Sequence, residues 1–506
     1  MPITTTTTTT TTTKKGQQQA EPFRINEHNL TTFFAGSDDV IISSHMIGES
    51  PGQIILVYCS GMVDSKSIYD IILPELTRAY EHTHFLRTSD IERSITLQWT
   101  RMDLQAELGT ELMSLRVFEG HMLICIPSLQ VMWSMDISNI PTRTPEESTT
   151  EVSIRGARDG FIERMSVNIT LIRTRLRTAD LSCNIELIGS RSVTKVALMY
   201  IQNIANPELI EDVKNRLRKI DTERIMTANE LEELLSPSKI TLFPVTHYTG
   251  RPDFAAECLL NGRFILIVDG NPSVIIGPVN LFLLLKSPED ASFPFLPVNM
   301  GRMLRFIGLL VTIFLPGFYI ALTSFHMDQL PFPLVATISV GRMGLPMESG
   351  VEMFLIMLLM ELFREAGVRL PSAIGQTLTV VGGLIIGDSA IRAGMVSPLM
   401  IVVIAVTVVA GATIVNQVMT SSVLILRFFC FVLSASLGIY GFILSIILFL
   451  IYLTDLKSFG IPYLTPLTPL NFKQALASLF KLPKGWMKRR PVYLETQKPR
   501  KEGNDR

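Results

Sequence analysis

The chain has 506 residues, a length that suits three or four domains. Its 47% hydrophobic content and mean hydropathy of +0.34 are high for a soluble protein, and 393–426 and 428–454 contain no Asp, Glu, Lys or Arg. Such runs are too long for buried core helices and long enough to cross a bilayer, which excludes a purely soluble protein, and a formal net charge of −1 gives no reason to expect a nucleic-acid partner.

The lead, 1–26, carries ten consecutive threonines and no apolar h-region, so it reads as a disordered segment rather than a signal peptide. Next come two mixed α/β stretches. LVYCSGMVD (56–64) reads as a short strand ending in glycine, followed by the amphipathic SIYDIILPELTRAYEH. VALMYIQNIANPE (196–208) repeats that order, followed by a helix with Ile210, Val213, Leu217 and Ile220 on one face. Downstream, GHMLICIPSLQVMWSMDI (120–137) and GRFILIVDGNPSVIIGPV (262–279) each read as strand, turn, strand. Tyr58 and Tyr200 are 142 residues apart, and so are Gly120 and Gly262. Two features at one offset predict a tandem duplication of an α/β unit, the alternative being two unrelated domains built from common elements. The expected division is subdomain 1 at 27–140, a linker at 141–152 and subdomain 2 at 153–295.

The linker leads into STTEVSIRGARDGFIERMSVNITLIRTRLR (148–177), whose arginines predict a long basic helix at an interface or in salt bridges. RGARDG lacks the Lys-Ser/Thr of a P-loop and the spacing of a dinucleotide fingerprint. His82 and His84 fall on different helical faces and make a poor metal pair. Five scattered cysteines without CxxC spacing read as reduced thiols facing a cytoplasm. No nucleophile–base pair, metal cluster or cofactor fingerprint appears, so neither an enzyme nor a cofactor is expected.

The helical membrane domain is placed at 296–460. Leu304–Ser324 is one bilayer thickness of helix behind Arg302 and Arg305, and KLPKGWMKRR (481–490) lies in a basic cytoplasmic tail at 461–506. Positive charge at both flanks places both ends in the cytoplasm, so the crossings are even in number, four to six. Gly438-Ile-Tyr-Gly441 is expected to split 423–454 into two helices or to kink one. Between these runs, 345–369 carries Glu348, Glu352, Glu361, Arg364, Glu365 and Arg369. It is either an amphipathic helix at the membrane surface, with Arg364 paired to Glu361, or a helix lining a wet interior. Gly383, Gly387, Ala390 and Gly394 form a small-residue stripe suited to close helix packing. A neighbouring stripe, Thr377, Val381, Leu384, Asp388, Ile391 and Met395, could line a constriction repeated around a ring, with apolar gates and a carboxylate ring that selects cations. The alternative is a packed bundle with Asp388 paired to Arg392.

At these residues the chain resembles the A subunit of the GerA-type spore germinant receptors. The similar stretches are RGARDGF (155–161), RPD (251–253), LLNGRFILIVDGNP (259–272), REAGVRLPSAIGQTLTVVGGLIIGDSAIRAGMVSP (364–398), LRF (426–428) and SFGIPYL (458–464), within a similarity running over roughly 28–470. It departs from the family pattern at Ala157, Gly250, Met357 and Phe429. The resemblance implies tandem cytoplasmic α/β subdomains followed by an α-helical transmembrane domain, in the inner membrane of dormant spores. It implies a transporter-like B subunit that senses nutrients and a lipoprotein C subunit as partners, and a homo-oligomeric ring that forms a nutrient-gated ion channel. On that reading Thr377, Val381, Leu384, Asp388 and Ile391 line the path. Glu352, Glu361, Arg364 and Glu365 form a polar membrane layer, and Gly383, Gly387 and Gly394 pack helices closely. Nutrient binding is expected of the partner, since no enclosed polar pocket is suggested beside this chain's few helices. The rivals are a scaffold without a pore and a solute transporter.

Overall fold

The computed structural model describes residues 23–48, 52–94, 98–102, 108–139, 155–236, 241–369, 387–468, 472–483 and 489–501. The Thr-rich lead before Phe23 and the linker at 141–152 lie outside the described residues. The chain divides into two compact units, 1–142 with 176–181, and 143–175 with 182–506.

In the first unit α1 (Glu27–Phe33) is capped by Asn26, whose side chain accepts from the N–H of Asn29. Then follow β1 (Val40–Met46), β2 (Gln53–Cys59), α2 (Leu73–Thr83), α3 (Thr88–Ser94), β3 (Thr100–Met102), α4 (Leu108–Val117), β4 (His121–Ile126) and β5 (Val131–Asp136). The strands form one antiparallel sheet in the order β1-β2-β4-β5-β3. Alternation along β2 supplies both faces. Ile54, Leu56 and Tyr58 pack with Leu76 and Trp133 on one side, while Ile55, Val57 and Cys59 pack with Leu30 and Val117 on the other. Helices on both faces explain why the central strands read as continuous apolar runs.

The second unit opens with α5 (Met165–Arg173), then β6 (Leu181–Ile188), β7 (Thr194–Ile201), α6 (Pro207–Arg218), α7 (Ala228–Leu235), β8 (His247–Thr249), α8 (Pro252–Leu260), β9 (Phe264–Val268), β10 (Val274–Gly277) and α9 (Leu281–Leu284). Its strand order, β6-β7-β9-β10-β8, matches the first sheet position for position. The pairing register matches too. Leu56 faces Ile124 and Ile124 faces Trp133; 142 residues later, Leu198 faces Leu266 and Leu266 faces Ile275. The last strand slips: Arg101 faces Trp133 while Tyr248 faces Ile275, an offset of 147. The expected long basic helix is a correction: α5 has only nine residues. RGARDGF runs before it as irregular chain, tied by the Phe161 N–H to the Gly250 carbonyl at 2.8 Å.

The apolar half holds α10 (Phe295–Ile320), continued by a wider turn at Ala321–Phe325, then α11 (Phe332–Gly341), α12 (Ser349–Arg369), α13 (Pro398–Gly411) and α14 (Gln417–Asp455). Among the described residues two stretches are long and apolar enough to cross a membrane, Phe295–Phe325 and Gln417–Asp455. The second is bent back on itself. Gly438 has φ +60° and ψ −140°, which an L side chain does not adopt without strain, and a Cβ on Gly441 would lie 2.0 Å from the Leu433 carbonyl oxygen. The expected split at 438–441 is therefore a tight hairpin between two antiparallel helices. All five cysteines are free and buried.

Residues beyond α14 do not form only a solvated tail. Lys457–Ser458 pairs with Ile461–Pro462, α15 (Phe472–Leu479) packs near α9 and α10, and 489–501 lies on the second α/β sheet's loops. There Arg490 donates to the Leu260 carbonyl at 2.9 Å, and Gln497 donates to the Ala205 carbonyl at 2.9 Å.

Candidate functional site: the joint between the second α/β sheet and the apolar helices

The joint begins at Arg251, set between β8 and α8, with Pro252 in the first turn fixing the chain's exit. Its guanidinium is 2% exposed and forks onto Asp253, Nε to Oδ1 at 3.1 Å and Nη2 to Oδ2 at 2.6 Å. Its remaining arm, Nη1, donates to Glu289, which also accepts the Arg155 N–H at 3.3 Å. RGARDGF and RPD are thus held together through one carboxylate.

Glu289 and Asp290 share a short turn at Pro288–Ala291, where Ser287 and Asp290 close a capping box. Asp290 turns towards α10. It accepts Arg302 Nε at 2.8 Å and both terminal nitrogens of Arg305 at 2.9 and 3.1 Å. Burial alone would raise the Asp290 carboxyl, but the Arg305 and Arg302 contacts outweigh it and hold its pKa below the ordinary range. Nearby, burial pushes Lys286 down to about 8, with Arg302 and Arg263 adding repulsion. The surroundings are dry and cation-rich, so Asp290 neutralises charge that has nowhere else to go. Lys481 ties the turn to the C-terminal segment, donating to the carbonyls of Asp290, Ala291 and Phe293 at 2.6, 3.2 and 2.9 Å.

Both ends of α14 meet the same unit. Asn416 caps α14 by accepting the Met419 N–H at 2.9 Å, and its amide nitrogen lies 2.8 Å from His247 Nδ1. Burial first, and Arg263 second, push His247 down to about 4, so the ring is neutral and Nδ1 accepts that amide proton. At the far end of α14 the Tyr452 hydroxyl accepts the N–H groups of Leu242 and Phe243 at 2.8 and 3.4 Å. SFGIPYL follows directly. Ser458 donates to the Val245 carbonyl at 2.6 Å and accepts the Val279 N–H at 2.9 Å, while the Tyr463 hydroxyl reaches the Pro244 carbonyl at 3.1 Å. Phe243 packs among Phe449, Tyr452 and Tyr463.

Between the apolar helices the expected polar residues take two places. Glu352 is fully buried on α12 and accepts the Ser397 N–H, at the N-terminus of α13, with Oε1; its Oε2 has no partner among the described residues. A carboxylate there meets the positive end of the α13 dipole. Glu361 pairs with Arg364 on its own helix and with Arg427 on α14 at 3.3 Å. Glu365 and Glu348 face outwards, and Glu348 precedes the helix. Asp388 is exposed and pairs with Arg392 at 2.7 Å, and Ile391 is half-buried. A Cβ on Gly387 or Gly394 would meet nothing within 4 Å among the described residues, so neither packs tightly against the described helices; Gly394, at φ +63°, ends a helical segment instead. Thr377, Val381, Gly383 and Leu384 lie outside the described residues.

Sequence reasoning missed the joint. The Ser287-Pro-Glu-Asp capping pattern was available, but partners as distant as Lys481 and Asn416 leave no local signal. Among the described residues no group of three or more His, Cys, Asp or Glu could hold a metal.

These features define a class: an α/β front joined to an apolar helical half whose helices return repeatedly to one soluble sheet. The family described as Bacillus/Clostridium GerA spore germination protein matches residues 28–493. Spore germination protein XA of Bacillus anthracis is 42% identical over 474 residues, covering 93% of this chain and 96% of that one. Spore germination protein KA of Bacillus subtilis (strain 168) is 33% identical over 479 residues, covering 93% and 86%. The crystal structure of the N-terminal domain of the A subunit of the Bacillus megaterium spore germinant receptor GerK3 aligns at 25% identity over 52% of this chain and 98% of its own, with a TM-score of 0.40. The chain belongs to the GerA family of spore germination proteins, as an A-type subunit.

Proposed function

We infer that this chain is the membrane subunit of a nutrient-sensing germinant receptor in the spore inner membrane, with both termini in the cytoplasm, and that its oligomer opens an ion path when a partner subunit binds nutrient. The observation that carries this reading is the double clamp. Asp290 grips the start of α10 through Arg302 and Arg305, and the loop 242–247 holds both ends of α14. A displacement of the soluble unit therefore acts on the start of α10 and on both ends of α14, and a few kcal/mol of differential binding suffices to shift a gate. The partners, by resemblance, are the transporter-like B subunit and the lipoprotein C subunit.

Four crossings are the favoured count. Arg302, Asn416 and Ser458 all touch the second α/β unit, so the chain lies on one side of the membrane at each. The turn at Gly438 supplies two crossings between the last pair, and α10 with a return supplies two before them. Outward apolar residues on α13, such as Val402, Val406 and Val409, suit lipid or a neighbouring subunit.

The pore-lining set remains Thr377, Val381, Leu384, Asp388 and Ile391, beside the polar layer of Glu352, Glu361, Arg364 and Glu365. The test is cysteine accessibility along 376–395, in a background without the native cysteines, with and without germinant. Germinant-dependent labelling at 377, 381, 384, 388 and 391 supports the wet path, and uniform protection removes it. The second reading is a non-conducting scaffold, favoured by the Asp388–Arg392 pair. It expects Asp388→Asn to leave ion permeability unchanged, whereas the channel reading expects altered conductance or ion preference.

A further inference from the structure

The two α/β units close the same slot with different pieces of chain. In the first, the residues that follow β5 turn back over the loop 60–63. Val63 bridges Ser138, the Asn139 N–H donates to the Met62 carbonyl at 2.9 Å, and a Cβ on Gly120 would lie 2.7 Å from Ser138 Cβ. The offset of 142 carries Met62, Gly120, Ser138 and Asn139 to Ile204, Gly262, Asn280 and Leu281. Asn280 and Leu281 are drawn elsewhere, to the segment after α14. The Asn280 amide donates to the Thr465 carbonyl at 2.8 Å, and the Leu281 N–H donates to the Tyr463 carbonyl at 3.0 Å. Their place in the slot is taken by Thr496 and Gln497. The Gln497 N–H donates to the Ile204 carbonyl at 3.1 Å, and a Cβ on Gly262 would strike the Thr496 methyl. One backbone arrangement thus accepts two unrelated stretches of sequence, as a site for extended peptide does when main-chain hydrogen bonds supply the affinity.

The occupant has the form of a ligand. Within 489–501 the Arg490 N–H donates to the Pro499 carbonyl at 2.8 Å, and its Nη1 donates to the carbonyls of Lys498 and Arg500 at 2.7 and 2.6 Å, so the segment closes on itself as a loop. It meets the unit through carbonyls: Arg490 Nε donates to Leu260 at 2.9 Å, and Gln497 Nε2 to Gln202 and Ala205 at 3.1 and 2.9 Å. Of 490–500 only Arg490 and Leu494 are buried. Asn139 lies three residues past β5 and cannot leave without pulling that strand. Gln497 comes from beyond every apolar helix, so the second slot can be vacated while its sheet stays paired.

Occupancy is felt at the joint through Arg263. Its Nε donates to the Pro278 carbonyl at 3.0 Å and its Nη2 to the Tyr493 hydroxyl at 3.1 Å. The same guanidinium adds to the burial that keeps His247 neutral, and neutral His247 accepts the amide of Asn416, the cap of α14. We propose that 202–205 and 260–263 form a slot for an extended peptide, that the chain's own 489–501 segment fills it as a tethered and exchangeable ligand, and that its departure frees Arg263 and loosens the cap of α14. This goes beyond the receptor reading and holds whether or not the helices conduct.

The experiment uses the full chain in nanodiscs with a protease site built into 484–488, so that one cut turns the segment into an untethered ligand. A fluorescently labelled synthetic peptide of 489–501 is then added. Saturable binding to the cut protein is expected, and binding about a hundredfold weaker to the uncut one, where the tether holds its own segment at high local concentration. A Gln497→Ala peptide should bind about tenfold more weakly, for the loss of two side-chain hydrogen bonds, and a scrambled peptide should not bind. The far-ultraviolet circular dichroism of cut and uncut protein should agree. In the uncut chain Tyr493→Phe should speed hydrogen exchange of the 417–420 amides while the Gln497 amide stays protected. The proposal is overturned if the labelled peptide does not exchange in, if the Gln497→Ala or scrambled peptide binds as tightly as the parent peptide, or if the chain unfolds when cut. Unchanged exchange at 417–420 in Tyr493→Phe overturns the link to the joint. None of these results bears on nutrient sensing or on an ion path.

Discussion

Ser445 Oγ lies 3.1 Å from Cys430 Sγ, although fifteen residues separate them across the turn at Gly438. In a straight helix that interval spans about 22 Å. Ser445→Cys should therefore form an intrachain disulfide with Cys430 on mild oxidation of the otherwise cysteine-free chain, read as a mass loss on a non-reduced peptide. Failure to cross-link in folded protein contradicts the hairpin.

The turn that permits this contact depends on Gly438. A Cβ there would sit 3.0 Å from the Phe325 side chain and 3.1 Å from the His326 ring, at a φ of +60°. Gly438→Ala is expected to cost about 1–3 kcal/mol from backbone strain alone. Thermal unfolding in detergent should show a clearly lowered midpoint, and the 430–445 cross-link should form more slowly. An unchanged midpoint would show that the chain turns elsewhere.

Asp290 pairs with both Arg302 and Arg305, and its side chain is only 6% exposed. Asp290→Asn leaves two guanidinium groups short of a counter-charge and should cost about 3–5 kcal/mol at neutral pH. Because the folded pKa is depressed, the stabilisation is present above the unfolded carboxylate value of about 3.9 and is lost as pH falls through the folded value. The gap in apparent unfolding midpoint between parent and Asp290→Asn should therefore narrow below about pH 4. A gap that persists undiminished in acid would assign the loss to shape rather than charge.

Arg251 serves two carboxylates at once, with a fork on Asp253 and an arm on Glu289. Lysine keeps the charge without the fork, so Arg251→Lys should lose about 1–3 kcal/mol and Arg251→Ala more. Limited proteolysis near 155–161 reports the same loss locally, because Glu289 also anchors Arg155. Equal behaviour of the two variants would reduce the role of Arg251 to packing.

Asn416 caps α14 and touches His247 with the same side chain. Asn416→Ala should cost about 0.5–2 kcal/mol from the cap. Combined with His247→Phe, the two losses should fall short of additive, since they share one hydrogen bond. Strict additivity in a double-mutant cycle would dismiss the contact.

The parts of the fold visible in the sequence are those whose signal is local. Apolar runs marked β2 and β7, and the glycines at 438 and 441 marked the turn in α14. The long helix expected around 148–177 fell to nine residues because the RGARDGF segment bonds to Gly250 rather than to its own backbone. Periodicity tells which face of a helix is buried and leaves its partner unnamed. Glu361 was recognisable as needing company, but Arg427 as its second partner was not, lying 66 residues on.

The returning C-terminal segment imposes an order on how the molecule is made. Leu260, Arg263 and Ala205 belong to the front half, yet their partners Arg490, Tyr493 and Gln497 leave the ribosome after every apolar helix. The second α/β unit therefore emerges early and is finished last. Its final hydrogen bonds form only once the intervening helices have brought the chain back to it, so completion of this unit records that those helices are in place.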